Sequence, residues 1–218
     1  MAIKKYSRRT QGELLLSRHF RVREFASSDG ADEVLIDERL VTLLQRIRSW
    51  AGAAVRITSG YRSPSHNAAV GGAKSSYHVK GQAADIVVTG KTPAEVARFA
   101  QAIGAGGVGL YTASRFTHID TRPTAYYWKN SGGGNVTVSG HGGRCPYAEP
   151  TANLRRGSRG DAVRWLQWWL RLWGADVAVD GSFGAATDAA VRAFQKRTGL
   201  AVDGIAGANT RKALKGDF

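Results

Sequence analysis

Apolar positions fall at helical spacing in "IDERLVTLLQRIRSWAG", where Ile36, Leu40, Leu43, Leu44, Ile47 and Trp50 share one face and Arg and Glu take the other. A second helix is predicted over "KTPAEVARFAQAIG", with Thr92 as its cap, Pro93 at the first helical position and Glu95 completing a capping box. Between and after these, "VRITS", "AADIVV", "GGVGLY" and "RFTHID" are short runs rich in β-branched and aromatic residues and read as strands. This mixture predicts an α+β domain over residues 1–128, with a small antiparallel sheet and flanking helices. The pattern then breaks at residues 129–153, "KNSGGGNVTVSGHGGRCPYAEPTAN", whose Gly, Ser and Asn content reads as a linker holding at most one short strand, "NVTVS".

Beyond the break the chain repeats itself. "AVDGSFGAATDAA" (178–190) returns as "AVDGIAGANTRKA" (201–213), displaced by 23 residues. Each copy is an Asp-Gly turn, a second Gly and a Thr placed to cap a helix. "SRGDAVRWLQWWLRLWG" precedes them, with Val163, Leu166, Leu170 and Trp173 on one helical face. Residues 154–218 are therefore expected to form a small all-α unit of three helices. Trp165, Trp168 and Trp169 fall around the sides of the first helix, either completing a small core or offering faces for a sugar to stack on.

Composition narrows the class. With 43% apolar residues a globular core can form, and no run is long enough to span a bilayer. The basic N-terminus has only a three-Leu run, so no secretory leader is predicted and synthesis in the cytoplasm is expected. Cys145 is the single cysteine, which excludes an internal disulfide. The net charge is +14, with 18 Lys/Arg against 10 Asp/Glu over residues 1–128 and 13 against 7 over 129–218. Such a field draws polyanions, whether nucleic acid, anionic lipid or an anionic wall. No recognition helix or RNA-binding aromatic motif accompanies it, so nucleic acid is not the expected partner.

The candidate chemistry lies in "SSYHVKGQAAD" (75–85). Asp85 is held by the strand "ADIVV", His78 lies on the loop entering it, and Gly81 and Ala83 leave room for that loop to fold back. Fixed N and O donors at one point suit a metal, and "FTHID" offers a third donor in His118. Two His and one carboxylate leave a fourth position for water, the arrangement of a catalytic zinc site. Asp120 shares a strand face with His118 and has three roles open to it: ligand, orienting partner or general base. Arg62, in "SGYRSPSHN", is placed to clamp a carboxylate or oxyanion. His19 has no evident partner. His66 reads as a loop residue near Arg62, His141 and Cys145 sit in a Gly-rich stretch, and Asp180 and Asp203 read as turn formers.

Taken together, "ITSGYRSPSHNAAVGGAKSSYHVKGQAADI" and "GGVGLYTASRFTHIDTR" resemble the M15 zinc peptidases of the D-alanyl-D-alanine carboxypeptidase type, through S-x-H-x-x-G-x-A-x-D and a later H-x-D. The resemblance covers about residues 17–128. It implies Zn2+ held by His78, Asp85 and His118; Asp120 is the candidate base, the alternative being Asp120 as ligand with His118 as base or transition-state stabiliser, and Arg62 and Ser76 are candidates to face the substrate. Many relatives carry His-x-His preceded by an acid three residues before the metal-binding His; here Arg115 and Asp120 occupy those positions. Residues 154–214 separately resemble the three-helix peptidoglycan-binding domain, through "GSRGDAVRWLQ" and "VDGSFGAATDAAVRAFQ". The pair implies a peptidoglycan peptidase that acts on the bacterial wall; the lack of a predicted leader, the small size and the basic charge suit a phage-type endolysin, expected to be a monomer, its charge aiding contact with anionic envelopes. A wall-remodelling carboxypeptidase and a catalytically weak wall binder are the alternatives.

Overall fold

The computed structural model describes residues 2–218. Chain order begins with β1 (Ile3–Ser7), the single turn α1 (Arg8–Gln11) and β2 (Glu33–Asp37), which pairs antiparallel with β1. The predicted amphipathic helix forms as α2 (Glu38–Ala51). The Asp37 carboxylate accepts from the Arg39 N–H at 2.8 Å to start it, and Gly52 in the left-handed region ends it. Ile36, counted with the helix face above, instead lies in β2, because the Asp37 cap holds the chain extended up to that point.

The four predicted strands appear as β3 (Val55–Ser59), β4 (Ala83–Val88), β5 (Gly107–Tyr111) and β6 (Phe116–Asp120). The short helix α3 (Pro64–Ala69) follows β3, and α4 (Pro93–Ala102) follows β4. In α4 the predicted capping box is closed: the Glu95 N–H donates to Thr92 Oγ1 at 3.3 Å and the Thr92 N–H to Glu95 Oε2 at 2.8 Å. Two further strands, β7 (Tyr126–Asn130) and β8 (Asn135–Val138), extend the sheet to six, in the order β3-β4-β6-β5-β7-β8. The fold is α+β as expected, but the sheet is larger and includes one parallel pair, β5 with β7.

Helices α2 and α4 cover one face, and Trp50 stacks on Phe99 between them with ring centroids 4.5 Å apart. Alternation along β6 divides the two faces. Thr117 turns to α4, its Oγ1 donating to the Pro93 carbonyl at 3.0 Å, so His118 and Asp120 turn the other way.

The chain divides into two compact units between Gly143 and Arg144. The stretch 129–153, expected as a linker, is thus partly absorbed by the first unit. β8 is a sheet strand, and the N–H groups of His141 and Gly143 donate to Gln101 Oε1 on α4 at 2.7 and 3.0 Å. At the far end, Arg211 holds the carbonyls of Thr151 and Ala152 within the second unit. Unpaired backbone amides need partners, and glycine-rich chain can lie close enough to find them.

The second unit consists of α5 (Asp161–Leu172), α6 (Ala185–Thr198) and α7 (Ala208–Leu214). Thr187 and Thr210 do not cap their helices; Gly184 and Gly207 occupy those positions. Both threonines instead serve a buried glutamine. Gln167 Nε2 donates to Asp180 Oδ1, the Ser182 carbonyl and Thr187 Oγ1, while its Oε1 accepts from the Gly181 N–H. Gln195 makes the same four contacts with Asp203, Ile205, Thr210 and Gly204. The repeat is therefore a repeated polar knot as well as a repeated turn. Twelve residues separate Gln167 from Asp180, but only seven separate Gln195 from Asp203, so the glutamines fall outside the 23-residue offset. Replacing either glutamine by leucine strands a buried backbone N–H, that of Gly181 or Gly204, and should cost about 1–3 kcal/mol. Urea unfolding followed by fluorescence reads this directly, since four of the six tryptophans lie in this unit. An unchanged midpoint would show the knots to be dispensable.

Trp165 and Trp169 are each 3% exposed, so neither offers the open face that sugar stacking requires; Trp168 is only half-buried and keeps that candidacy. Among the described residues no helix is long and apolar enough to cross a membrane.

Candidate metal centre

Register brings the first two donors together. Asp85 on β4 stands directly opposite His118 on β6, and both project from the face not covered by helices. The third donor, His78, arrives on the loop before β4. Its carbonyl accepts from the Arg62 and Gly81 N–H groups at 3.2 and 3.1 Å, and its own N–H donates to Ser76 Oγ at 3.3 Å. Gly81 makes that loop reachable. It sits at φ +68°, and a Cβ there would overlap the Leu35 backbone, against which the loop lies through the Asp37 N–H to Gly81 O bond.

Outer contacts fix which nitrogen each imidazole turns inward. The Gly60 carbonyl can only accept, so at 2.7 Å it takes the His78 Nδ1 proton and leaves Nε2 as the inward lone pair. His118 donates Nε2–H to Asp120 Oδ2 at 3.1 Å and turns Nδ1 inward. The resulting trio is His78 Nε2, His118 Nδ1 and Asp85 Oδ1. Their separations are 3.2 Å between the nitrogens, 2.8 Å from His118 Nδ1 to Asp85 and 3.4 Å from His78 Nε2 to Asp85. Three such donors that close suit a cation between them, a metal ion or, in its absence, a proton shared between His118 and Asp85. Tetrahedral ligands at about 2.0–2.1 Å from zinc stand roughly 3.3 Å apart, so the donor set and its spacing fit that ion. Among the described residues this is the one group of three such donors drawn together.

The ionisation of the trio follows from its contacts. Burial opposes charge on His118, but the Asp120 and Asp85 carboxylates outweigh it and lift the imidazolium to about 9. Burial likewise pushes Asp85 up, yet the hydrogen bonds from His118 and His78 hold it well below the usual carboxylate range.

Asp120 stands behind His118, where an orienting partner would lie. It is fully buried, holds His118 from behind, and its carboxylate is bound by Arg122 through Nε, Nη2 and the backbone N–H. A carboxylate so enclosed lies behind His118 and away from the converging donors, an arrangement that suits an orienting partner better than a general base. Space for it comes from β5, where Gly107 stands opposite Asp120; any side chain there would overlap the carboxylate.

The trio opens into a cleft of about 390 Å³ lined by Arg62, Ser76, Tyr77, Tyr111, Phe116, Arg122 and Trp128 beside the donors. Arg62 donates Nε–H to Ser59 Oγ and an Nη2–H to Asp85 Oδ2, both at 2.9 Å, so it orients a donor as well as facing the cleft. Ser76 is also in the lining. The sequence reading missed Tyr77, Tyr111, Arg122 and Trp128; Arg122 and Trp128 lie in the aromatic-rich run "TRPTAYYW" directly after "FTHID", and Tyr77 stands beside His78. The other histidines lie outside the trio: His66 meets Ser28 Oγ at 2.8 Å, His19 meets Gln45, and His141 Nε2 donates to the Val108 carbonyl.

Comparisons with known proteins place two stretches of the chain in families. Residues 15–120 match the family described as Peptidase M15, and residues 159–214 match the peptidoglycan binding domain family. The chain is 41% identical over 100 residues to the peptidoglycan L,D-endopeptidase MepK of Escherichia coli K12, covering 43% of this chain and 54% of that one. It is 51% identical over 65 residues to the zinc D-Ala-D-Ala carboxypeptidase of Streptomyces albus G, covering 28% of this chain and 25% of the relative. The match thus spans about half the length of the first relative and a quarter of the second. The crystal structure of a Burkholderia AP3 phage endolysin is similar at 46% identity and a TM-score of 0.29, over 29% of this chain and 24% of that one. Over residues 15–120 the chain is a Peptidase M15 domain, and over residues 159–214 it is a domain of the peptidoglycan binding family.

Proposed function

We propose that the chain is a zinc-dependent peptidoglycan peptidase of lytic, endolysin-like use, cutting an amide of the stem peptide or cross-link while its C-terminal domain holds the wall. The observation that carries this is the convergence of His78 Nε2, His118 Nδ1 and Asp85 Oδ1 in an open cleft, in a chain that also carries a wall-binding family domain. Zinc held there supplies a Lewis acid for the scissile carbonyl and brings the pKa of a water to about 7. The longer similarity, to an endopeptidase, favours cutting within the cross-linked peptide over trimming its end.

The chain's own groups divide the remaining work. Arg62 faces the developing oxyanion with a guanidinium already held by Ser59 and Asp85. Tyr111 accepts from Trp128 Nε1 at 3.1 Å, which leaves its own O–H free to donate. Tyr111→Phe should therefore lower kcat about 10²-fold, the usual effect of removing one oxyanion donor, with zinc content unchanged. A variant with full kcat would remove Tyr111 from the reaction. Asp85 is the only carboxylate among the cleft-lining residues, and it is committed to the trio.

The deciding experiment is mass spectrometry of purified peptidoglycan digested with the protein, with and without a zinc chelator. New free amines at one stem-peptide bond, lost on chelation, are expected and name the bond. Intact peptides with the protein still sedimenting with the wall would reduce the chain to a binder. Cleaved glycan would place the chemistry in a different class.

A further inference from the structure

Arg122 is built more firmly than an arginine that only supports Asp120 requires. Its Nε–H and one Nη2–H are spent on the Asp120 carboxylate. Its guanidinium lies 4.6 Å from the Tyr77 ring centroid, 5.1 Å from that of Tyr126 and 5.4 Å from that of Trp128. One edge and the faces are thus fixed, while both Nη1–H groups and the second Nη2–H have no partner among the described residues. Two of them, one Nη1–H and the second Nη2–H, form the end-on fork, which matches the two oxygens of a carboxylate. The residue also lines the cleft that holds the trio, with only the Asp120 carboxylate and the His118 ring between it and the converging donors. Arg62 also lines the cleft, and the one carboxylate in the lining, Asp85, is already committed to the trio and to Arg62.

We propose that Arg122 is the specificity-determining residue of this cleft and that it receives a free carboxylate of the substrate peptide beside the scissile amide. The inference rests on the peptidase reading above. It makes the substrate an acidic stem-peptide segment whose neighbouring carboxylates are unmodified. A segment with those groups amidated loses the fork–carboxylate pair and leaves a preformed guanidinium edge unmatched, which is how a polar site rejects an analogue.

The test uses two synthetic stem peptides, identical except that the carboxylates flanking the scissile amide are free in one and carboxamides in the other. For the full-length zinc-loaded protein, kcat/KM should favour the free acid by roughly 10- to 100-fold, the value of hydrogen bonds to a charged group. Arg122→Gln should erase the preference: both peptides are cut more slowly because Asp120 loses its partner, and the free acid falls by the further roughly 10- to 100-fold that the fork supplied. Arg122→Lys keeps the charge but not the fork, and should retain zinc while losing most of the preference. Calorimetric titration of metal-free protein with the same peptides gives a second reading, independent of turnover: tighter binding of the free acid to the wild type and equal binding of both to Arg122→Gln. Equal kcat/KM for both peptides in the wild type overturns the proposal. So does an equal fall on both in Arg122→Gln, which would make Arg122 a support for His118 only. If neither peptide is cut but the free acid still binds tighter through Arg122, the peptidase reading fails and the carboxylate clamp stands.

Discussion

Alanine at His78, Asp85 or His118 is expected to abolish zinc retention and to lower stem-peptide hydrolysis by more than about 10³-fold, since a Lewis acid supplies several kcal/mol of transition-state stabilisation. Chelation of the wild type should give the same loss, reversed by added zinc. The structure also predicts how zinc binds. In the metal-free protein, the His118 imidazolium is raised to about 9 by Asp120 and Asp85 against the effect of burial, so near pH 7 the inward Nδ1 carries a proton. A ligand must be neutral there, so uptake of zinc near pH 7 should release about one proton and weaken as pH falls. Calorimetry in buffers of different ionisation enthalpy counts that proton. Full activity in any of the three variants, or zinc uptake with no proton release, would contradict the assignment.

The second large effect is at Asp120. Asp120→Ala leaves Arg122 partly buried without its partner and His118 without its brace, and should destabilise the protein by about 3–5 kcal/mol. Asp120→Asn keeps the shape and should weaken zinc binding and activity together by about 10- to 100-fold, as expected for a second-layer contact. A general base behaves differently: its loss would leave zinc affinity intact and flatten one limb of the kcat/KM pH profile. Measuring zinc affinity beside the pH profile separates the two roles, and an intact affinity with a lost limb would restore Asp120 as the base.

What could be read from the sequence was mostly local. Thr92, Pro93 and Glu95 announce α4 within four residues, and β-branched runs announce β3 to β6. The donors were legible because His78 and Asp85 lie seven residues apart and His118 and Asp120 share one strand face. What escaped depends on distant pairing. Nothing in "YYWKN" announces that β7 pairs in parallel with β5, yet that pairing carries Trp128 into the cleft. Nor does spacing show that Arg122 binds Asp120 from outside, the contact that favours a brace over a base. Trp165 and Trp169 looked lateral on a single helix because a helical wheel sees one apolar stripe, whereas α5 is buried on most of its circumference.

The unequal spacing within the two polar knots bears on how the C-terminal unit tolerates change. Gln167 and Gln195 reach equivalent partners although the chain takes five more residues to return in the first copy than in the second. The closure geometry is therefore set by the knot and not by the length of the excursion. Lengthening such an excursion carries an entropic penalty of only about 0.6 kcal/mol per doubling. The shorter return between Thr198 and Asp203 is accordingly a site where a fluorophore tag or an affinity peptide can be spliced in without loosening the three helices.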